Sequence, residues 1–150
     1  MILGTRDLDS IDRNVVMVDG SFDPIHEGHI AYFCAAANLG LPVLCNIAPD
    51  SWTSSKHAVL LSQHQRALVI DAIRYVGYVH ASELSTCEVL NLLKPSIYAK
   101  GNDWLRRGGI PEKEMKVCQE LGIKVVYLDT VLNSSSALLN AWQNFDGTNL

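Results

Sequence analysis

The chain has 150 residues, 48% of them hydrophobic, which is enough for one globular domain with a substantial core and leaves little room for a second. A formal net charge of −4 argues against a surface that neutralises a nucleic-acid backbone. No stretch approaches the roughly 20 apolar residues that cross a bilayer. We therefore expect a single cytoplasmic domain over residues 1–150, with its core at about 14–142, that binds neither nucleic acid nor membrane.

Apolar segments and helical patterns alternate along the chain. Val15 to Val18 form a short apolar block, typical of a strand buried on both faces, and Gly20 ends it. Helical periodicity then runs over about 29–39, and a second apolar strand is predicted at 42–47. The alternation continues with helices at about 62–76, 86–93, 111–122 and 136–142, and with strands at 77–80, 96–99 and 124–128.

This order of elements predicts an α/β protein: a Rossmann-like three-layer fold with a five-stranded parallel sheet and helices on both faces. In such sheets, ligands bind beyond the carboxyl ends of the strands, where the strand order reverses. The loops that follow strands are therefore the candidates for function. They are residues 19–29, 102–109 and 129–136, together with the polar segment 50–62.

The loop over residues 20–29 has the sequence G-S-F-D-P-I-H-E-G-H and precedes a predicted helix. The N-terminus of a helix favours an anion because its backbone N–H groups and dipole point toward it. The two glycines permit close approach of the backbone, and Ser21 supplies a hydroxyl. His26 and His29 are three residues apart, so both rings can face one phosphate from the same side of a helical turn.

Two other interpretations of the histidines are open. A His-x-x-His pair could bind zinc, although the metalloprotease pattern places the histidines four apart around a glutamate and no third ligand is evident here. The pair could also have a purely structural role. The four cysteines are scattered without a C-x-x-C pair, so neither a disulfide framework nor a zinc cluster is expected, and we predict no protein-held metal.

The loop resembles the G-[ST]-F-D-x-x-H-x-G-H signature of the cytidylyltransferase-like nucleotidyltransferase superfamily. Within it, the chain is most similar to the adenylyltransferase domain that makes ADP-heptose and to glycerol-3-phosphate cytidylyltransferase, over about residues 14–139. The similarity extends to Gln65-Arg66, to Lys94-Pro95, to the segment 100–104 and to the serine turn 134–136.

The resemblance implies transfer of AMP from ATP or CMP from CTP to a sugar phosphate or polyol phosphate, with Mg²⁺ as cofactor and pyrophosphate as product. A phosphate monoester has a second pKa of about 6, so the acceptor is already an anionic nucleophile and needs no general base. His26 and His29 are predicted to stabilise charge during in-line attack on the α-phosphorus. Lys56, the only lysine of the polar segment, is predicted to offset the charge of pyrophosphate.

The remaining predicted site residues fall into two groups. Substrate-binding roles are predicted for Asp23 and Arg66. Lys56 could instead be a solvated surface lysine, Arg66 could form a structural ion pair, and the serine turn could be a simple helix cap. The predicted nucleotide-binding residues are Gly20, Ser21, Phe22, Gly28, Gly101, Asp103, Ser134, Ser135 and Ser136.

Two departures from the family leave the acceptor and the nucleotide open. The arginine that glycerol-3-phosphate enzymes carry before the serine turn is missing from residues 130–133, and the segment 56–66 lacks a second basic residue before Arg66. We favour ATP slightly over CTP. Alternatives are a nucleotide-binding regulatory module without turnover and an enzyme for another phosphorylated acceptor, such as an amino-alcohol phosphate. A homodimer is expected from the apparently exposed Tyr75, Tyr78 and Trp104.

Overall fold

A computed structural model describes residues 1–130 and 134–145 of the chain. It confirms the α/β fold: these residues form a parallel sheet with helices on both faces. The strands are β1 (Ile2–Leu3), β2 (Val16–Gly20), β3 (Val43–Ile47), β4 (Tyr78–Ala81), β5 (Ile97–Gly101) and β6 (Lys124–Leu128). The α-helices are α1 (Glu27–Ala37), α2 (Asp50–Ser54), α3 (Gln63–Asp71), α4 (Thr86–Leu93), α5 (Asn102–Arg106), α6 (Glu112–Leu121) and α7 (Ser135–Gln143).

The sheet has six strands in the order β1-β4-β3-β2-β5-β6, so the prediction of five strands was wrong. The extra strand is β1 at the edge, which pairs with β4 and buries Leu3. A 3₁₀ helix over Thr5–Ser10 follows and buries Leu8 completely. Two residues are too few to show a hydrophobic period, and this strand exists only because β4 offers a free edge.

Strand β2 shows why the sheet has helices on both faces. Val16 and Val18 point into a core that also receives residues of α1 and α3. Val15 and Met17 point into a second core, with residues of α4 and α6. Because side chains alternate along a strand, a continuous apolar run must be covered on both sides.

The strand order reverses at β2, which pairs with β3 on one side and with β5 on the other. The loops after β2 and β5 therefore meet at the carboxyl edge of the sheet, where α/β proteins bind ligands. The short helices α2 and α5 lie in segments predicted as loops. Five residues make less than two turns, so their sequences carry no usable period.

The aromatic residues that suggested a dimer are less exposed than expected. Tyr75 and Tyr78 pack against the two cores, and the Trp104 ring lies 4.6 Å from the Lys100 ammonium. The homodimer therefore loses that support and stays a prediction. No helix within residues 1–130 and 134–145 combines the length and apolar character needed to cross a membrane.

Candidate active site

A cavity of about 270 Å³, here called the first cavity, lies where β2 and β5 end. It brings together segments that are up to 117 positions apart, since Asp19 and Ser136 both line it. Every predicted catalytic and nucleotide-binding residue contributes to its wall. These are His26, His29 and Lys56, with Gly20, Ser21, Phe22, Gly28, Gly101, Asp103, Ser134, Ser135 and Ser136.

Both histidines are held by the backbone at the start of α1. His26 is the N-cap residue, and its Nδ1 accepts a hydrogen bond of 3.0 Å from the Gly28 N–H. His29 Nδ1 accepts from the His26 N–H at 3.3 Å, which completes a reciprocal capping box. Since each Nδ1 is an acceptor, the proton of each neutral ring lies on Nε2. The helix cap therefore leaves two Nε2–H groups as donors.

The rings are neutral in the free protein. Burial, and to a smaller extent the neighbouring His26, lower the pKa of His29 to about 3. Burial also lowers the pKa of His26, against a smaller opposing effect of Glu27. The ring centroids are 3.8 Å apart in a stacked arrangement that two imidazolium ions would resist. The pair therefore acts through hydrogen bonds from neutral rings.

Two buried polar atoms of this loop have no hydrogen-bond partner among the described residues. They are the Ser21 hydroxyl oxygen and His26 Nε2. An unsatisfied buried polar group costs about 1–3 kcal/mol, so two of them in one loop beside a cavity indicate a polar ligand. The available donors on a helix N-terminus suit the oxygen atoms of a phosphate.

Gly20 keeps this loop close to the sheet. A Cβ atom at this position would lie 3.1 Å from the ring of Phe22, so a larger residue would displace that ring. Phe22 in turn packs edge-on against His29, with ring centroids 5.0 Å apart. Because residue 20 is a glycine, the Phe22 ring has room to pack against the ring of His29.

Asp23 and Arg66 lie beneath the site and line neither of the cavities described here. The fully buried Asp23 carboxylate accepts from the backbone N–H groups of Leu60 and Leu61, at 2.7 and 2.9 Å. It therefore ties the segment after α2 to the histidine loop. Direct contact of Asp23 with substrate, predicted from the sequence, finds no support in this geometry.

The Arg66 guanidinium is committed to the protein in the same way. Its side chain is fully buried and pairs with Asp50 at 2.5 Å. It also donates to three backbone carbonyls, those of Ser21, Ala48 and Leu61. These belong to three different loops, so Arg66 fixes their relative positions. We assign Arg66 a positioning role, in line with the structural ion pair considered from the sequence.

The start of α7 closes the first cavity opposite the histidines. Ser134 is the N-cap residue and accepts from the Ala137 N–H at 3.1 Å. Ser135 donates to the Pro24 carbonyl at 2.8 Å, which docks the helix on the histidine loop. The helix N-terminus and Ser136 then face the cavity. Part of the preceding loop, residues 131–133, lies outside the described residues, as does the tail 146–150.

The charges around the cavity leave two cationic side chains available. Lys56 forms no ion pair within the described residues, and partial burial, together with Lys100, lowers the pKa of its ammonium group. Arg107 has a 66% exposed side chain that lies 3.5 Å from Asp103. Lys100 is instead buried against Asp19 at 2.5 Å and neutralises it. Lys56 and the largely exposed Arg107 are therefore the two cationic side chains that a phosphate chain would meet at the mouth of the site.

Sequence reasoning missed six residues of this wall. One signal was available: Asp103 on α5 and Arg107, its C-cap residue, are four apart, the spacing of a helical ion pair, but α5 itself was predicted as a loop. All six except Tyr32 lie in the segments predicted to carry function, but their individual contributions depend on how those segments meet in the fold. The missed residues are Asp19, Tyr32, His57, Trp104, Arg107 and Thr130.

A second cavity of about 730 Å³ adjoins the first. Five residues line both, so the two are continuous at their boundary. From there the second cavity extends between α2, α4 and α6, on the opposite side of β2 from α1. The shared residues are Asp19, Gly20, Lys56, Trp104 and Arg107.

Comparison with known proteins agrees with this geometry. Residues 17–140 match the family described as cytidylyltransferase-like. The chain is 34% identical over 101 residues to the FAD synthase of Methanosarcina mazei, covering 67% of each protein. It is 30% identical over 100 residues to the bifunctional protein HldE of Pelobacter propionicus, covering 64% of this chain and only 20% of HldE.

A solved structure supports the same assignment. The lipopolysaccharide core biosynthesis protein from Thermoplasma volcanium superimposes with a TM-score of 0.65 at 26% identity, covering 77% of this chain and 96% of that protein. The family match spans the histidine loop, the serine turn and all elements between them. The chain therefore belongs to the cytidylyltransferase-like family and is a nucleotidyltransferase.

Proposed function

We propose that the chain is a cytoplasmic enzyme that transfers a nucleoside monophosphate, AMP in preference to CMP, to a small phosphorylated acceptor. The observation that carries the proposal is the pair of neutral histidines whose Nε2–H groups remain as donors at a helix N-terminus. Such donors stabilise the charge that develops on a phosphoryl group under attack. The family match supports the reaction class.

The reaction forms one bond and breaks one. An oxygen of the acceptor phosphate attacks the α-phosphorus, and the bond between that phosphorus and the oxygen bridging to the β-phosphate breaks. The electron pair leaves with pyrophosphate, so no covalent enzyme intermediate is required. His26 and His29 donate to the α-phosphate oxygens, while Lys56 and Arg107 offset the charge of the departing pyrophosphate.

Mg²⁺ is proposed to accompany the triphosphate. No group of three His, Cys, Asp or Glu side chains suited to a metal is found in residues 1–130 and 134–145. Mg²⁺ does not need such a group, because it often takes one or two carboxylates and receives most of its ligands from phosphates and water. Asp103, in the wall of the first cavity, is the carboxylate we assign to it. When bound, the ion would neutralise charge on the phosphates.

Two classes of acceptor follow from the relatives. The resemblance to the ADP-heptose enzyme suggests a sugar phosphate or polyol phosphate. The name of the Methanosarcina relative suggests a flavin phosphate instead. Both are phosphate monoesters, so the first cavity would treat their reacting groups alike, and the discrimination belongs to the second cavity.

Pyrophosphate release tests the proposal. The purified chain would be mixed with Mg²⁺, ATP or CTP, and a panel of phosphorylated sugars, polyols, amino alcohols and flavins. Release that depends on one acceptor is expected. Nucleotide binding without release for any acceptor would instead favour the regulatory module.

Calorimetric titration with ATP and with CTP tests the nucleotide. Tighter binding of CTP by tenfold, about 1.4 kcal/mol, would overturn the preference for ATP and leave the reaction class intact.

A further inference from the structure

We propose that the second cavity binds an acceptor whose non-phosphate part is a planar, largely apolar ring system with a carbonyl group, and not a polyol chain. This inference rests on the proposed function, because it places the acceptor phosphate at the boundary of the two cavities. Asn46 and Trp52 are the residues to which we assign recognition of the ring.

The boundary between the cavities has the charge that an acceptor phosphate needs. Lys56 and Arg107 line both cavities; Lys56 forms no ion pair within the described residues, and Arg107 lies 3.5 Å from the Asp103 carboxylate with most of its side chain exposed. Asp19, also at the boundary, is neutralised by Lys100 and accepts a further hydrogen bond from Thr86. An acceptor whose phosphate is held here would place its non-phosphate part in the second cavity and its reactive phosphate oxygen toward the first.

Most of the surface that the wall of the second cavity exposes is apolar, although polar residues outnumber apolar ones in its lining. Two indole rings contribute to it. Trp52 is 56% exposed, and the Lys56 ammonium lies over its ring, 5.2 Å from the centroid. Large aromatic rings at a cavity offer flat surfaces on which planar ligands stack. The apolar members of the wall are Ala48, Pro49, Trp52, Leu84, Trp104 and Pro111.

Most polar side chains of this wall are already paired within the protein. Ser51, Lys56, Glu83 and Lys113 are exceptions, but all four are exposed to solvent. A polyol would bring several hydroxyl groups to a surface with few partners for them, and burying an unpaired hydroxyl is unfavourable. The internal pairs are Thr86 with Asp19, Ser85 with Glu88, Ser55 with the Trp52 carbonyl, and Glu114 with Tyr98.

Asn46 is the exception among the buried residues of the wall. It is 4% exposed, and its carboxamide oxygen accepts from His80 Nδ1 at 2.8 Å. His80 Nε2 in turn accepts from the Thr5 hydroxyl at 3.0 Å, so the chain of hydrogen bonds fixes the orientation of the amide. No described residue accepts from Asn46 Nδ2, which leaves an NH₂ donor at the cavity. A ring carbonyl is the complementary group.

Matched ligands can test this inference. Flavin mononucleotide has a planar ring system with carbonyls, joined to a ribityl phosphate; ribitol 5-phosphate has the same polyol phosphate without the ring. Binding of each to the full chain would be measured by calorimetry in the presence of Mg²⁺ and α,β-methylene ATP, which cannot be turned over. We expect the flavin to bind at least tenfold more tightly. Equal or tighter binding of ribitol 5-phosphate or glycerol 3-phosphate would overturn the inference.

Variants localise the effect. Trp52→Ala is expected to weaken flavin binding about tenfold, by loss of a stacking surface, and Trp52→Phe to restore most of it. Trp142→Ala is the matched control, because this exposed tryptophan lies on α7 and lines neither cavity. Asn46→Asp keeps the hydrogen bond from His80 but removes the donor, and should also weaken binding about tenfold. Unchanged flavin affinity in both the Trp52→Ala and Asn46→Asp variants would overturn the inference.

The experiments distinguish failure of the proposed function from failure of this inference. Flavin binding that depends on Trp52, without pyrophosphate release from ATP or CTP, would support the occupant of the second cavity and contradict turnover. Pyrophosphate release with a sugar phosphate alone would support turnover and contradict the planar acceptor.

Discussion

The two cavities at the carboxyl edge of the sheet are built by different means. The first combines two helix N-termini, three glycines and two histidines locked by the cap of α1. Its Ser21 hydroxyl and His26 Nε2 have no hydrogen-bond partner within residues 1–130 and 134–145. The second is lined by residues of α2, α4 and α6 and of the segments around them, and most of its polar groups are paired internally.

The difference indicates how the two tasks are divided. Backbone donors at helix ends recognise phosphate in any nucleotide, so one short loop can serve a whole family. Discrimination between acceptors needs shapes and single donors that only side chains supply. Substitutions in the first cavity should therefore change the rate for every acceptor, whereas those in the second should change which acceptor is used.

The largest effect is expected at the histidines. His29→Ala and His26→Ala should each lower kcat by roughly a hundredfold, as removal of an oxyanion donor does. The affinity for the acceptor should change little, because neither ring lines the second cavity. His64→Ala, at an exposed position on α3, is the control. Steady-state kinetics that give near-normal kcat for both folded histidine variants would contradict the assignment.

Lys56 lies at the boundary, so its removal should affect both substrates. Lys56→Met is expected to lower kcat/KM about tenfold for the nucleotide and for the acceptor, since a charged hydrogen bond contributes about 1.5–3 kcal/mol. Lys116→Met is the matched control because Lys116 is exposed on α6 and lines neither cavity. A change confined to one substrate would restrict Lys56 to one of the two sites.

Two hydroxyl groups sharpen the comparison further. Ser21→Ala removes an unpaired hydroxyl, so the free energy of unfolding should stay the same or rise, while kcat/KM falls about fivefold through loss of one neutral hydrogen bond. Thr86→Val removes a hydroxyl that donates to Asp19 at 3.0 Å and should lower the free energy of unfolding by about 1–3 kcal/mol. Urea denaturation of both variants measures the contrast. Equal destabilisation by the two would contradict it.

The smallest expected effect is a dependence of stability on pH. The pKa of His29 is about 3 in the folded chain, whereas an unfolded histidine titrates near 6.5. Between these values the unfolded chain binds the proton and the folded chain does not, so stability falls as pH is lowered through 6 toward 4. His29→Gln should reduce the decrease in Tm between pH 7 and pH 4.5, and His64→Gln should not. An unchanged decrease in the His29→Gln variant would contradict a neutral, buried His29.

Several features could be read from short segments of the sequence. The continuous apolar run before Gly20 predicts a strand covered on both faces, and β2 is such a strand. The helix predicted between Pro111 and Gly122 is α6, which ends with Gly122 at φ +68°. In these cases the deciding interactions join residues a few positions apart, so the local pattern carries the information.

The motif determined the reaction class for a similar reason. A loop that caps its own helix with two histidines needs no distant partner to orient them, so G-S-F-D-P-I-H-E-G-H was sufficient to identify the family. The same sequence could not show that both rings are neutral. Their burial depends on Phe22 and on packing against the rest of the site, which only the tertiary structure provides.

The tertiary structure alone decided the edge strand, the roles of Asp23 and Arg66, and the second cavity. The sequence does not distinguish an Arg66 that contacts a phosphate from one that contacts backbone carbonyls. Only the folded chain shows the three carbonyls around its guanidinium. Asn46 likewise becomes a donor to a ligand because His80, 34 positions away, occupies its oxygen. Sequence patterns report interactions within a turn or a strand, whereas specificity here depends on contacts between segments that only folding brings together.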